Sequence, residues 1–246
     1  MRLKVRRATV EDIPQMVEVD QKAWWDDVAF SPHQFRAQIE TYREGVLIAE
    51  VKTREGDRRI VGTICGLRIS SATAERIRTW AEATGDGYFT THDPGGNVAY
   101  GANLSVLPEH QAKGVGAKLF AHAGAVIVRD NMRCILFGGR LPGLAQHNGL
   151  RAEHGQPPIS GEEYAALRDE KARILDPELR FYLRQPFMQM VAVLPDYYPD
   201  PESENYGVLL KWHNPLYKFR VAWVYRIPIL GKVVPRLVAR LVKAAV

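Results

Sequence analysis

The stretch LSVLPEHQAKGVG, residues 104–116, decides how the rest of this chain is read. Leu104, Ser105 and Val106 end an apolar run suited to a strand, Pro108 closes it, and Gly114 and Gly116 open a segment of different period. From there Val115, Leu119, Phe120, Ala123, Val126 and Ile127 recur every three or four positions, the stripe of an amphipathic helix. A helix start leaves its first N–H groups unpaired under the positive end of the dipole, and glycine lets the backbone approach a ligand closely. An anion suits that place, and a diphosphate fits it. A lone Gly-x-Gly also serves plain helix packing; the strand and turn before it are what make the segment specific.

Working outward, Leu3 to Arg7 alternates at period two, and Thr9 with Asp12 forms a capping-box pattern that opens a helix near Glu11. VLIAEV (46–51) and IVGTICGLRI (60–69) read as strands joined by a turn at Arg54 to Asp57, and a third strand runs from about Val98 to Val106. Residues 71–96 are polar and glycine-rich, predicting a short helix and a loop inserted at the sheet's edge, as either lid or spacer. After the long helix come a strand over 133–137, helical character between about 161 and 175, a helix over 178–184, and closing strands over 188–194 and 206–212. The order predicts a mixed α/β sheet.

Composition narrows the function classes. A hydrophobic content of 46% over 246 residues supports a sizeable core. No run approaches a membrane span, and the N-terminus shows no signal-peptide core, so a cytoplasmic protein is expected. Cys65 and Cys134 sit in apolar runs and read as buried thiols. The net charge of +5 belongs to one end: from Asn205 onward there are eight basic residues and no acidic ones, leaving the first 204 residues at 25 basic against 28 acidic. That describes a basic tail on a mildly acidic domain, not a nucleic-acid-binding fold. His147, Glu153 and His154 lie in a loop-like stretch without further ligands at defined spacing, so no metal is expected.

With those residues in hand, the chain resembles the GNAT superfamily of N-acetyltransferases. Its signature Q/R-x-x-G-x-G/A is matched by Gln111, Gly114 and Gly116, LSV at 104–106 matches the strand before it, and RRATVEDIPQM resembles the first strand and helix. The likeness covers roughly residues 2–212. It implies the acyl-CoA N-acyltransferase fold, a mixed central sheet with helices on both faces, and acetyl-CoA as co-substrate. By resemblance the backbone of Leu104, Ser105 and Val106 pairs with the pantetheine arm. The N–H groups of Gln111, Ala112, Lys113, Gly114, Val115, Gly116 and Ala117 hold the diphosphate. A tyrosine five residues before a Gly-Phe turn often protonates the leaving thiolate in this family; Tyr182 stands five before Phe187, although Pro186 replaces the glycine. RCILFGGRLPG, DPELRFYLRQPF and VLPDYYPDPESENYGVLL resemble GNAT domains that occur alone or fused to carbon-nitrogen hydrolases.

The resemblance implies transfer of acetyl to an amine by direct attack in a ternary complex, with a small-molecule amine or a peptide amine as acceptor. Attack needs a neutral amine, so a base must take a proton, and no residue announces itself as that base. Asn103 and Tyr100 on the strand before the cradle, Arg140 after the next strand, and Trp24, Asp26 and Asp27 between two early helices are candidate acceptor-side residues. Two other readings stay open: an enzyme using a longer acyl-CoA at a membrane surface, and an acyl-CoA-binding sensor without turnover.

Residues 1–214 are expected to form the domain and 215–246 a basic helical extension. Lys232, Arg236, Arg240 and Lys243 share one helix face opposite Val233, Val234, Leu237, Val238, Leu241 and Val242. That face suits peripheral contact with an anionic membrane, or packing on the domain or a second subunit.

Overall fold

A computed structural model describes residues 3–24, 28–53 and 56–217. Seven strands form one mixed sheet: β1 (Leu3–Arg7), β2 (Val46–Lys52), β3 (Arg58–Ile69), β4 (Val98–Val106), β5 (Cys134–Gly139), β6 (Met188–Leu194) and β7 (Gly207–His213), in the order β1-β2-β3-β4-β5-β7-β6. All neighbours are antiparallel except β4 and β5. The helices are α1 (Ile13–Ala23), α2 (Pro32–Tyr42), α3 (Ser71–Arg76), α4 (Trp80–Thr84), α5 (Val115–Arg129), α6 (Leu144–Glu153), α7 (Gly161–Ala166) and α8 (Pro177–Leu183). This is the mixed α/β sheet with helices on both faces expected from the sequence.

The alternation along β4 shows how the two layers are arranged. Ser105 and Asn103 reach Asp20 of α1, whereas Leu104 and Val106 lie beside Gly116 at the start of α5. Successive side chains of a strand point to opposite faces, so α1 and α5 cover opposite sides of the same strand. The core fills both layers: Met16, Phe35, Ile48, Leu67 and Leu119 are fully buried.

Two local features open the sheet at its centre. Pairing of β4 with β3 skips Ala102, so β4 carries one extra residue there, a bulge that bends the strand. Pairing of β4 with β5 stops at Gly101↔Phe137, while β4 runs on to Val106 and β5 turns to β7 as far as Gly139. The two strands therefore part. From Ala102 to Val106 the edge of β4 that faces β5 has no strand against it among the described residues.

Three local expectations change. Residues 144–153 are the helix α6, not a loop, so His147 sits on a helix. Its apolar stripe is almost missing, with only Leu144 and Asn148 buried. Residues 71–96 form two short helices, not one, and they do not sit at the sheet's edge: Trp80 Nε1 donates to Ala102 O at 2.8 Å, in the middle of the sheet. Between 161 and 175 only 161–166 is helical. The expected turn at Arg54-Glu55 and nearly all of the basic extension lie outside the described residues. Among the described residues no helix is long and apolar enough to cross a membrane.

Candidate functional site

The parting of β4 and β5 leads into a cavity of about 930 Å³. Leu104, Val106, Gln111 and Phe120 line it, as do Trp24, Arg140, Glu178, Tyr182, Tyr197 and Tyr198, so three of the expected cradle residues share one space with expected acceptor residues, while Ser105 and residues 112–117 are not part of its lining. The walls are aromatic, with Phe30, Trp80, Phe137 and Phe181 added to those above.

The loop entering α5 leaves several backbone N–H groups without a carbonyl partner. Gln111 closes the turn by donating from Nε2 to Val106 O at 3.2 Å. Ala112 and Gly114 both take positive φ, at 55° and 78°. For Gly114 that conformation is free of strain, and a Cβ there would meet nothing within 4 Å, so the space above it is open. At Gly116 the room is limited by Leu104 and Val106, 3.9 Å from a built Cβ, which still accommodates a methyl group. The first helical bond is Lys118 N–H to Gly114 O at 3.1 Å, so the N–H groups of Val115, Gly116 and Ala117 precede it. Those of Ala112, Lys113 and Gly114 donate to no backbone carbonyl among the described residues. Residues 111–114 are exposed. Lys113 Nζ turns back to Glu109 O at 2.7 Å, and so takes part in shaping the loop.

On the opposite wall, Asp176 caps α8 by accepting from Leu179 N–H at 2.8 Å. The helix buries Leu179 and turns Glu178 and Tyr182, four residues apart, to the cavity. Burial raises the Tyr182 phenol well above 10, with the charge of Glu178 adding to it, so the phenol is protonated at neutral pH. Its ring meets Phe137 edge-on at 5.1 Å between centres. Pro186 does not prevent the turn after α8: Phe187 itself takes the left-handed conformation, φ 65°, half-exposed. Glu178 Oε1 accepts from Arg140 N–H at 3.4 Å, and burial pushes its carboxyl up to about 7 against the pull of Arg140.

Arg140 borders the cavity but is already engaged. Its guanidinium forks onto Asp200, at 2.8 and 2.9 Å, and reaches Glu202 at 2.6 Å. Burial works against its charge, yet the hydrogen bonds to Asp200 and Glu202 outweigh that and keep it ionised. It also lies over the Trp24 ring, 5.7 Å from the ring centre.

Trp24 is in turn fixed by a buried network that sequence reasoning missed. Its Nε1 donates to Asn103 Oδ1 at 3.0 Å and to Ser105 Oγ at 2.8 Å. Asp20 gathers the rest: Oδ1 accepts from Asn103 Nδ2 and Ser105 Oγ, both at 2.5 Å, and Oδ2 from Phe30 N–H at 2.7 Å. Burial raises the Asp20 carboxyl while those donors pull it back. The result ties α1 and the start of the following loop to β4. Asn103 thus lines the cavity and supports its wall, and Tyr100 is fully buried and hydrogen-bonded to Tyr197. Asp26 and Asp27 lie outside the described residues. Among those described, no group of His, Cys, Asp or Glu is placed to hold a metal ion, and Cys65 and Cys134 are free and buried.

No family model matches the chain. It is 30% identical over 220 residues to the uncharacterised N-acetyltransferase YkwB of Bacillus subtilis (strain 168), covering 88% of this chain and 91% of that protein. It is 27% identical over 214 residues to the probable hydrolase YhcX of the same organism, covering 87% of this chain but 39% of that protein. Among solved structures, the GphF GNAT-like decarboxylase in complex with isobutyryl-CoA superposes with a TM-score of 0.67 at 20% identity, over 86% of this chain and 99% of that one. That last likeness is one of fold.

Proposed function

This chain belongs to the GNAT superfamily of N-acetyltransferases, and from that membership we propose that it transfers acetyl from acetyl-CoA to a primary amine by direct attack in a ternary complex. The family is one of acyl-CoA N-acyltransferases. The observation that carries this reading is the juxtaposition of three features: an edge of β4 with no strand against it, N–H groups without backbone carbonyl partners in the loop entering α5, and Tyr182 lining the same cavity as Leu104, Val106 and Gln111.

In this reading the N–H groups of residues 112–117 hold the diphosphate under the positive end of α5, while that of Gln111, expected to join them, donates to Pro108 O at 3.2 Å and shapes the turn. The free edge of β4 at Leu104, Ser105 and Val106 pairs with the amide-bearing arm, as a further strand would. The thioester is thereby aimed along β4 toward the aromatic part of the cavity. Attack by a neutral amine forms the C–N bond, and collapse of the adduct breaks the C–S bond. Tyr182 donates its proton to the departing sulfur, a role that suits a phenol held protonated by burial. The acceptor enters past Trp24, Asn103 and Arg140, and the aromatic walls with Glu178 favour a cationic amine on an apolar body, whether a small molecule or a peptide.

The test is release of CoA thiol from acetyl-CoA across a panel of primary amines, with the acetylated product identified by mass. Turnover with at least one amine is expected; binding of acetyl-CoA without turnover on any amine would favour a sensor instead. A second reading is favoured by the cavity itself, whose volume and apolar lining exceed what an acetyl group fills: a longer acyl donor. Comparing acetyl-, isobutyryl- and octanoyl-CoA at fixed amine decides between the donors.

A further inference from the structure

Amine transfer needs a proton acceptor near the attacking nitrogen, and the wall of the cavity carries a carboxylate. Glu178 and Tyr182 leave the same face of α8 one turn apart and line the same cavity. Among the described lining residues the only other carboxylate is Asp86, on the loop after α4, which is exposed to solvent where Glu178 is not. Around Glu178, the charged and titratable neighbours are accounted for element by element. After β5, Arg140 offers its backbone N–H and directs its guanidinium at Asp200 and Glu202. In the loop between β6 and β7, Tyr198 donates to Asp200 Oδ2 at 3.3 Å, and Asp200 is buried, held ionised by Arg140 and Ser203 against the effect of burial. On α8, Asp176 is occupied as the cap and Tyr182 lies one turn on. Glu178 is therefore the carboxylate that the fold leaves facing the cavity rather than spending on a cap or an arginine fork.

Resting on the amine-transfer reading, we propose that Glu178 is the general base that takes a proton from the acceptor's ammonium before attack. The proton balance follows. The ammonium gives one proton to the Glu178 carboxylate, which passes it to water. The freed lone pair bonds to the thioester carbon, and the adduct nitrogen loses a second proton. Tyr182 supplies a proton to the sulfur as the C–S bond breaks, and the second nitrogen proton restores the phenol. One amide, one thiol and one proton in solution result. The burial that brings the carboxyl to about 7 places it where a base works best at neutral pH.

The test uses the full chain, wild type and Glu178→Gln, with acetyl-CoA and two matched acceptors: 2-phenylethylamine, whose ammonium ionises near 10 like that of lysine, and its β,β-difluoro analogue, which is largely neutral just above pH 7. With 2-phenylethylamine the variant is expected to lose ~10²-fold in kcat/KM. With the fluorinated amine, which has little proton to give up, it should stay within ~3-fold of wild type, because the base is bypassed. Equal loss on both amines would make Glu178 a positioning residue and overturn the proposal, as would no loss on either. If another amine of the panel is the one turned over, it and its β-fluorinated analogue replace the pair; wild type silent on every amine of the panel would sink the transferase reading itself, and the base with it.

Discussion

Replacing Glu178 with glutamine keeps the shape of the cavity wall and removes its ability to take up charge. Burial moves this carboxyl from 4.5 to about 7, with Arg140 opposing. A carboxyl whose native pKa lies above its unfolded value costs stability when ionised. The cost is absent below about 4.5, grows as pH rises, and is complete above about 7. At ~1.4 kcal/mol per tenfold change in proton affinity the whole window amounts to roughly 3 kcal/mol, and solvent screening of a group that borders a cavity brings the working range to roughly 1–3 kcal/mol. Glutamine carries no such cost and can still accept from Arg140 N–H. Urea unfolding of wild type and Glu178→Gln at a series of pH values from about 4 to about 9 isolates the effect, because every other group titrates in both proteins. The variant should gain stability relative to wild type as pH rises, with most of the gain between about 4.5 and 7. A difference that stays flat across that window would show that the carboxyl does not titrate near neutrality and would refute the reasoning.

Other outcomes follow from the same geometry. Tyr182→Phe should lower turnover by ~10²-fold while calorimetry with acetyl-CoA shows unchanged affinity; unaltered turnover would remove the phenol as the acid. Gly114→Ala should cost about 1 kcal/mol in urea unfolding, since its φ of 78° strains any side chain although nothing blocks one, whereas Gly116→Ala should be nearly neutral. Gly114→Glu should weaken acetyl-CoA binding by 10-fold or more, as read by calorimetry, by placing an anion where the diphosphate would lie. Asp20→Ala strands the Phe30 N–H, Ser105 hydroxyl and Asn103 amide in the interior, a loss of about 3 kcal/mol and roughly 6–12 °C in Tm.

The sequence made most of the sheet legible because strands with one buried face alternate, and the long α5 because its stripe is strong. The succession of strand, turn and glycine-spaced helix start over 104–116 was legible because its parts are contiguous. What stayed hidden depends on residues far apart in the chain. Asp20 looks like an ordinary polar position on α1 until β4, some eighty residues on, brings Asn103 and Ser105 to it. Arg140 is recognisable as a cation after a strand, but its engagement by Asp200 and Glu202 depends on the loop between β6 and β7. Glu178 resembles the acidic first turn of any helix, and only the packing of α8 against the cavity sets it apart. α6 escaped because its buried side is Leu144 and a polar Asn148, which hydrogen-bonds to Ile159 and Glu204. The opening between β4 and β5 has no sequence signal of its own, since it arises from where pairing stops.

A crystal structure of the chain with coenzyme A should place the diphosphate oxygens within about 3 Å of the amides between residues 112 and 117, the arm paired along Leu104 to Val106, and the sulfur near Tyr182 Oη. Coenzyme A bound away from the gap between β4 and β5, or absent from crystals soaked at saturating concentration, would contradict that placement.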